Sequence, residues 1–257
     1  MRDGSTVYVS RALLDVGVPH VFTTRSSAPD ERARMAELLG LAGATRVLEA
    51  RQVHGARVVE VAPDAADSPS VAPEADALVA ERPNDLVLVY TADCVPILLA
   101  SADGGRVAAV HAGWRGVVAG VLANALQSLR GADGGGDDGE LRSDVVAAIG
   151  PSVCVDCFEV GDEVVRAFES QGLGCAVHAA SGDSVERSGF PRAHVDLRAA
   201  VEAQLRACGV TRIDGTDRCT YEHEVEFWSH RRDVTHGGAA TTGRQLAAIA
   251  PRSVART

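Results

Sequence analysis

Short apolar runs bounded by turn-forming residues recur along this chain. VPHVFTTR reads as a strand ending at Arg25, and RVLEARQVHG and ARVVEVA read as two more, with His54-Gly55 at the turn between them. ADALVA, the turn RPND and the long run LVLVYTADCVPILLA follow. Gly104-Gly105 then turns the chain into RVAAVHAGWRG, and DVVAAIGP is a strand closed by Gly-Pro. The apolar spacing becomes helical near Val117, where Val118, Val121, Leu122, Ala125, Leu126 and Leu129 share a face. EVGDEVVRAFES is a second helix, and VDLRAAVEAQLRACG is a third, with His194 and Asp196 near its start and Gly209 as its stop. Asp30 caps a further helix carrying Met35, Leu38 and Leu39. EFWSHRRD reads as strand-like, and residues 63–73 and GADGGGDDGE read as exposed loops. Strands and helices mix without strict alternation, and no repeat or linker divides them. The pattern predicts one domain spanning residues 1–257, of mixed α/β or α+β class, with helices covering a sheet.

Composition narrows the range of functions. With 46% hydrophobic residues in 257, the chain can build a substantial core; with only 4% aromatics, that core is aliphatic. A formal net charge of -10 argues against a nucleic-acid partner, which calls for a basic face. No apolar stretch is long enough to span a membrane. No apolar segment follows the positive N-terminus, so the expectation is a cytoplasmic protein whose six cysteines are reduced thiols.

Polar groups inside apolar runs cost free energy unless they are bonded or used. Three such interruptions stand out: QVHG at 52–55, TADC at 91–94 and VHAGWRG at 110–116. Each places a zinc-type donor where a strand meets a turn, and His54, Cys94 and His111 would supply three ligands with a fourth position left open. Each residue also has a plainer reading, as a packed histidine or a buried thiol, and spacing alone does not decide. Asp93 adjoins Cys94, so the two serve one site only if the backbone bends there; the alternative is a turn-forming aspartate. Arg115 before a helix start suits an anion or, equally, solvent, and Arg231-Arg232 and Arg244 form a second basic group. Cys154-Val155-Asp156-Cys157 is a C-x-x-C that lacks a second pair, with Cys175 and Cys219 as candidate additions; a structural role is the leading reading. A cysteine hydrolase with Cys94 as nucleophile and His111 as base is a rival, as is a non-enzymatic binding protein.

Taken in order, QVHG, ADALVAERP, TADCVPILL, AAVHAGWRG, AAIGPSVC with FEVGDEV, VDLRAA, CTY and WSHRRD with TTGR resemble the YfiH family, also called the multicopper polyphenol oxidoreductase or laccase-domain family, from about His20 to about Ala250. The resemblance implies a four-layer fold similar to the catalytic domain of the cytotoxic necrotizing factor toxins. It also implies zinc on His54, Cys94 and His111, and a purine nucleoside as substrate: phosphorolysis of adenosine, inosine, guanosine or methylthioadenosine, and deamination of adenosine. Asp93 is then the candidate proton shuttle, Arg25, Arg115 and Arg231 the candidate phosphate or ribose contacts, and Gln52 a contact to substrate or to a metal ligand. Bacterial members are also assigned to peptidoglycan-precursor editing. Copper, implied by the older family name, is the weaker choice, because the chain has no His-x-His pair. The chain departs from the family in lacking the Gly-Gly-Val-Ser segment after Arg25, and in carrying Phe158, Glu222 and His230 where Tyr, Cys and Tyr are usual.

Overall fold

Strict alternation along strands that are buried on both faces organises this protein. In the computed structural model, which describes residues 6–26, 39–40, 46–62, 72–131, 144–179 and 192–252, two sheets stack with helices over one of them. The five-stranded sheet runs in the order β1 (Val7–Tyr8), β2 (His20–Thr23), β14 (Gln245–Ile249), β6 (Asp85–Thr91) and β3 (Arg46–Leu48). The six-stranded sheet runs β13 (Arg212–Gly215), β9 (Val145–Ile149), β7 (Val95–Ser101), β8 (Val107–Ala112), β5 (Ala77–Ala80) and β4 (Val58–Glu60). A small sheet of β10 (Glu159–Val160), β12 (Ala193–Val195) and β11 (Val177–His178) flanks them.

The alternation is easily followed. Leu98 and Ala100 of β7, Ala109 of β8 and Val146 and Ala148 of β9 meet Val87 and Val89 of β6 and Ala247 and Ile249 of β14 between the two sheets. Their neighbours Ile97, Leu99, Ala108, Val110, Ala147 and Ile149 face the opposite way, onto the helices. That layer comprises α2 (Trp114–Ala119), α3 (Val121–Arg130), α4 (Asp162–Ser170) and α5 (Leu197–Ala207), while a short α1 (Arg11–Asp15) puts Leu13 into the inter-sheet core. The outer face of the five-stranded sheet carries Val21, Leu86, Leu88, Leu246 and Ala248, with Leu39 packed against it. Three layers are thus formed among the described residues, and none of their helices is long and apolar enough to cross a membrane.

Several sequence expectations change. The 117–130 helix starts earlier, at Trp114, and breaks at Gly120, whose φ of 82° is left-handed. The long run LVLVYTADCVPILLA divides between layers: β6 belongs to one sheet and β7 to the other, so TADC is a crossing between them. QVHG likewise separates β3 from β4 in different sheets. EFWSHRRD is not a strand, because its backbone hydrogen bonds go into turns and a π-helical turn at Arg231–His236. The predicted helix after Asp30, residues 63–71 of the first loop and residues 132–140 of the second lie outside the described residues. Asp196 caps α5 by accepting from the Ala199 N–H at 2.8 Å.

One buried histidine ties the N-terminal segment to this frame. His20 accepts the Ser10 N–H at Nε2 (2.7 Å), and its Nδ1 faces the Val18 carbonyl oxygen at 2.8 Å. Burial lowers its pKa from 6.5, outweighing the Val18 hydrogen bond and the charge of Asp214, and the Ser10 N–H, which needs an unprotonated Nε2, acts in the same direction as burial. The folded state therefore binds this proton less readily than the unfolded chain; the contribution is complete above about pH 6.5 and is lost as pH falls below it. His20→Gln should cost about 1–3 kcal/mol at pH 7.5 through lost hydrogen bonds, and that cost should shrink towards pH 5 in paired denaturation curves.

Candidate metal centre

The centre lies where β7 begins and β8 ends, at one edge of the inter-sheet crossing. Pro96 and His111 are register partners there, which places Cys94 beside His111 despite their separation in sequence. His54 arrives from the loop before β4. Its Nε2 stands 3.7 Å from Cys94 Sγ, its ring lies edge-on to His111 with centroids 4.8 Å apart, and one donor atom from each of the three residues falls within 4.8 Å of the others.

A residue without an assigned role at the sequence level holds this arrangement. Asp76, fully buried before β5, accepts the backbone N–H groups of Val53 (3.3 Å), His54 (2.9 Å) and Gly55 (2.7 Å), and its Oδ1 lies 2.8 Å from His111 Nδ1. One carboxylate thus shapes the loop that carries one donor and orients the ring of another, leaving His111 Nε2 for the cluster. Burial opposes its charge, but His111 and the Gly55 and Val53 amides outweigh burial and hold its pKa below the usual aspartate value. The available signal was an acidic residue at the mouth of the apolar run ADALVA. Gly113 is the second omission: a Cβ there would lie 2.7 Å from His54 Cδ2 and 3.0 Å from Cys94 Sγ, so only glycine leaves the donors their room.

The electrostatics fit ligand chemistry. Burial raises the Cys94 pKa, but hydrogen bonds and charge from His111 and His54 outweigh it and bring the thiol down to about 7. Burial depresses His111, but Asp76 and Cys94 outweigh it and lift the imidazole to about 9. The pair thus favours thiolate and imidazolium. Two imidazoles and a thiolate, with Asp76 behind one ring, match a zinc or copper donor set.

Two of the loop residues adopt left-handed backbone, His54 at φ 59° and Asp93 at φ 87°, which costs about 1–3 kcal/mol each for a residue other than glycine. At Asp93 this is the bend that lets both it and Cys94 reach the same region. Its carboxylate accepts the Thr220 hydroxyl at 2.7 Å and the Arg231 N–H at 2.6 Å, offsetting the strain and fixing the start of the 231–236 turn.

A cavity of about 670 Å³ opens over the cluster, lined by His54, Cys94 and His111 and by Gln52, Asp93, Arg115 and Arg231. Tyr90, Trp114, Phe158, His230 and Arg244 add aromatic and basic character. Gln52 has its amide committed to both the N–H and the carbonyl of Tyr90, at 2.8 Å each, so it shapes the wall. Arg115 lies over the Trp114 ring at 4.3 Å. Arg231 is partly buried, 5.2 Å over Phe158, and donates to the Glu159 carbonyl at 2.8 Å; burial lowers its pKa, partly countered by Asp93 and Glu159. Arg25 is not among the lining residues. It lies 3.7 Å over the Trp228 ring and donates to the Glu224 carbonyl.

A mixed α/β fold with a three-donor cluster under a small-molecule-sized, cation-rimmed cavity defines the class of this protein. The chain belongs to the family described as multi-copper polyphenol oxidoreductase laccase, which it matches over residues 13–252. It is 35% identical over 265 residues to a purine nucleoside phosphorylase of Deinococcus radiodurans, covering 95% of this chain and 93% of the relative. It is 38% identical over 201 residues to adenosine deaminase RL5 from an unknown prokaryotic organism, covering 75% and 72%. The crystal structure of YlmD from Geobacillus stearothermophilus is similar, with a TM-score of 0.72 and 28% identity over 92% of this chain and 93% of that one.

Asp76→Asn should leave the fold intact and weaken metal binding about 10–100-fold, because the loop and the His111 ring lose their charged anchor. Chelator competition on the two proteins checks this; equal affinities would show that Asp76 does not orient the donors.

Proposed function

We propose that this protein is a zinc-dependent purine nucleoside enzyme that cleaves adenosine, inosine, guanosine or methylthioadenosine with phosphate and deaminates adenosine. The observation that carries the reading is the His54–Cys94–His111 cluster at the base of a cavity edged with Arg115, Arg231 and Arg244, in a chain whose relatives include proteins named purine nucleoside phosphorylase and adenosine deaminase. The basic groups support it: in a chain of net charge -10, three arginines line the cavity, where they suit an anionic co-substrate such as phosphate.

The residues divide the work. Tyr90, Trp114 and Phe158 offer flat apolar surface to a purine, and Arg115, Arg231 and Arg244 offer donors to phosphate. Arg231 is the best positioned of the three, since the Glu159 carbonyl and the Phe158 ring hold its guanidinium in place. Zinc, when bound, supplies Lewis acidity that activates water or polarises the substrate. Asp76 keeps His111 oriented throughout. Asp93, the expected proton shuttle, has both carboxylate oxygens engaged by Thr220 and Arg231, so we assign it to positioning the Arg231 turn. Arg25, over Trp228, is assigned no direct substrate contact.

A second reading has its own observation. Asp76, His111 and Cys94 form a carboxylate–imidazole–thiol series in which the thiol is lowered to about 7, the order a cysteine hydrolase uses. Such an enzyme would act without metal on a peptidoglycan precursor.

Elemental analysis, combined with turnover of adenosine and inosine with and without phosphate, separates the two readings. Cys94→Ala should lose metal at this centre together with both nucleoside reactions. Activity that persists after metal removal and is abolished by alkylation would favour the hydrolase. Arg231→Gln should raise the KM for phosphate about 10–100-fold, the loss of one or two charged hydrogen bonds, while changing adenosine deamination less. Equal loss of the two reactions would argue against a phosphate contact at Arg231.

A further inference from the structure

A second cluster of sulfur donors lies outside the cavity and takes no part in the proposed reaction. Cys154, Cys157 and Cys219 place one sulfur each within 4.8 Å of the others, and all six cysteines of the chain are free thiols. Two sequence features converge here. Cys154-Val155-Asp156-Cys157 closes as a tight turn, with the Cys157 N–H donating to the Cys154 carbonyl at 3.2 Å, which brings its two thiols to one side. Cys219 arrives from the segment after β13, where Ser152 and Cys219 pair as an isolated parallel bridge, held by the Ser152 N–H on the Arg218 carbonyl and the Thr220 N–H on the Ser152 carbonyl.

Backbone and side-chain groups approach two of the sulfurs closely. The backbone N–H of Cys154 donates to Cys219 Sγ at 3.3 Å, a bond that favours negative charge on sulfur. Glu222 Oε1 lies 3.9 Å from Cys157 Sγ, outside the close group formed by the three sulfurs, and a turn of its side chain would bring it to a fourth position. Tetrahedral zinc with Zn–S near 2.3 Å spaces its sulfurs about 3.8 Å apart, within the span observed. A disulfide would use two of the sulfurs and leave the third, with Glu222, without purpose.

We propose that Cys154, Cys157, Cys219 and Glu222 form a second, structural zinc site. Its position gives it a task. The C-x-x-C turn leads directly into Phe158, whose ring lines the cavity and packs under Arg231. The Cys219 segment supplies Thr220, whose hydroxyl holds Asp93, and the Thr220 and Tyr221 carbonyls that accept from Arg232 at 2.9 Å each. Zinc cross-links the two segments that form this wall, and a site closed by four protein ligands contributes to folding.

The test is metal content of the full chain purified under reducing conditions. The wild type should hold two zinc ions per chain, and a His54→Ala/His111→Ala variant should keep one. Cys154→Ser/Cys157→Ser should also lose one ion, the one at this cluster. Cobalt in the histidine variant should give strong thiolate-to-metal absorption, because three thiolates remain as ligands. Cobalt titration of the wild type, showing one site with three thiolates and one with a single thiolate, gives the same answer if that variant fails to fold. A metal-free histidine variant with native circular dichroism, a wild type that takes up cobalt only at a single-thiolate site, or a Cys154–Cys157 or Cys154–Cys219 disulfide in the isolated protein would each overturn the proposal. None of these readouts depends on nucleoside turnover.

Discussion

The carboxylate of Asp76 is the constraint on which the centre depends. It is buried between a loop that would otherwise leave three amide N–H groups without partners and a histidine that would otherwise rotate. A buried carboxylate without such partners is costly, so Asp76 holds loop and ring together by the same requirement. The left-handed backbone at His54 is offset by the bond from its N–H to Asp76 at 2.9 Å. Gly113 completes the arrangement from the opposite side by contributing no side chain.

A second buried aspartate does comparable work on the other wall. Asp93 sits at the crossing between the two sheets and binds Thr220 and the first amide of the Arg231 turn. The crossing that brings Cys94 into the cluster therefore also sets where the cationic side of the cavity begins. The cysteine cluster lies behind the same wall, one residue from both Thr220 and Phe158. The donor site, the basic edge and the sulfur cluster are mechanically linked through segments few residues long. This explains how a protein with an aliphatic core keeps the cavity in defined shape.

The strands were legible because their alternation is intrinsic to the chain. Residues such as Leu98 and Leu99 must face opposite ways in any extended segment, and both faces being apolar announces burial on both sides. The second and third predicted helices were legible from apolar spacing, and the third from its Asp196 cap as well. Pairing between sheets was not. LVLVYTADCVPILLA reads as one long apolar run, since nothing in its composition says that its halves join different layers. EFWSHRRD misled for a related reason: its alternation is strand-like, but the Asp93 carboxylate accepts the Arg231 amide and the Ser229 carbonyl accepts the Asp233 amide, which draws the segment into a helical turn.

By itself, the sequence determined the mixed α/β class of the fold and marked His54, Cys94 and His111 as polar interruptions of apolar runs, because polar groups there must be bonded or used and that requirement is local; their reading as donors came from the family resemblance. Only the tertiary structure decided which groups serve those donors and which merely adjoin them. Asp76 became the orienting carboxylate, Gln52 and Asp93 became framework, Arg25 went to Trp228, and Cys219 joined Cys154 and Cys157 across more than sixty residues of chain (65 separate Cys154 from Cys219). Those assignments rest on directional hydrogen bonds and packing between segments far apart in the chain, and sequence order carries no record of which distant segment will present the partner.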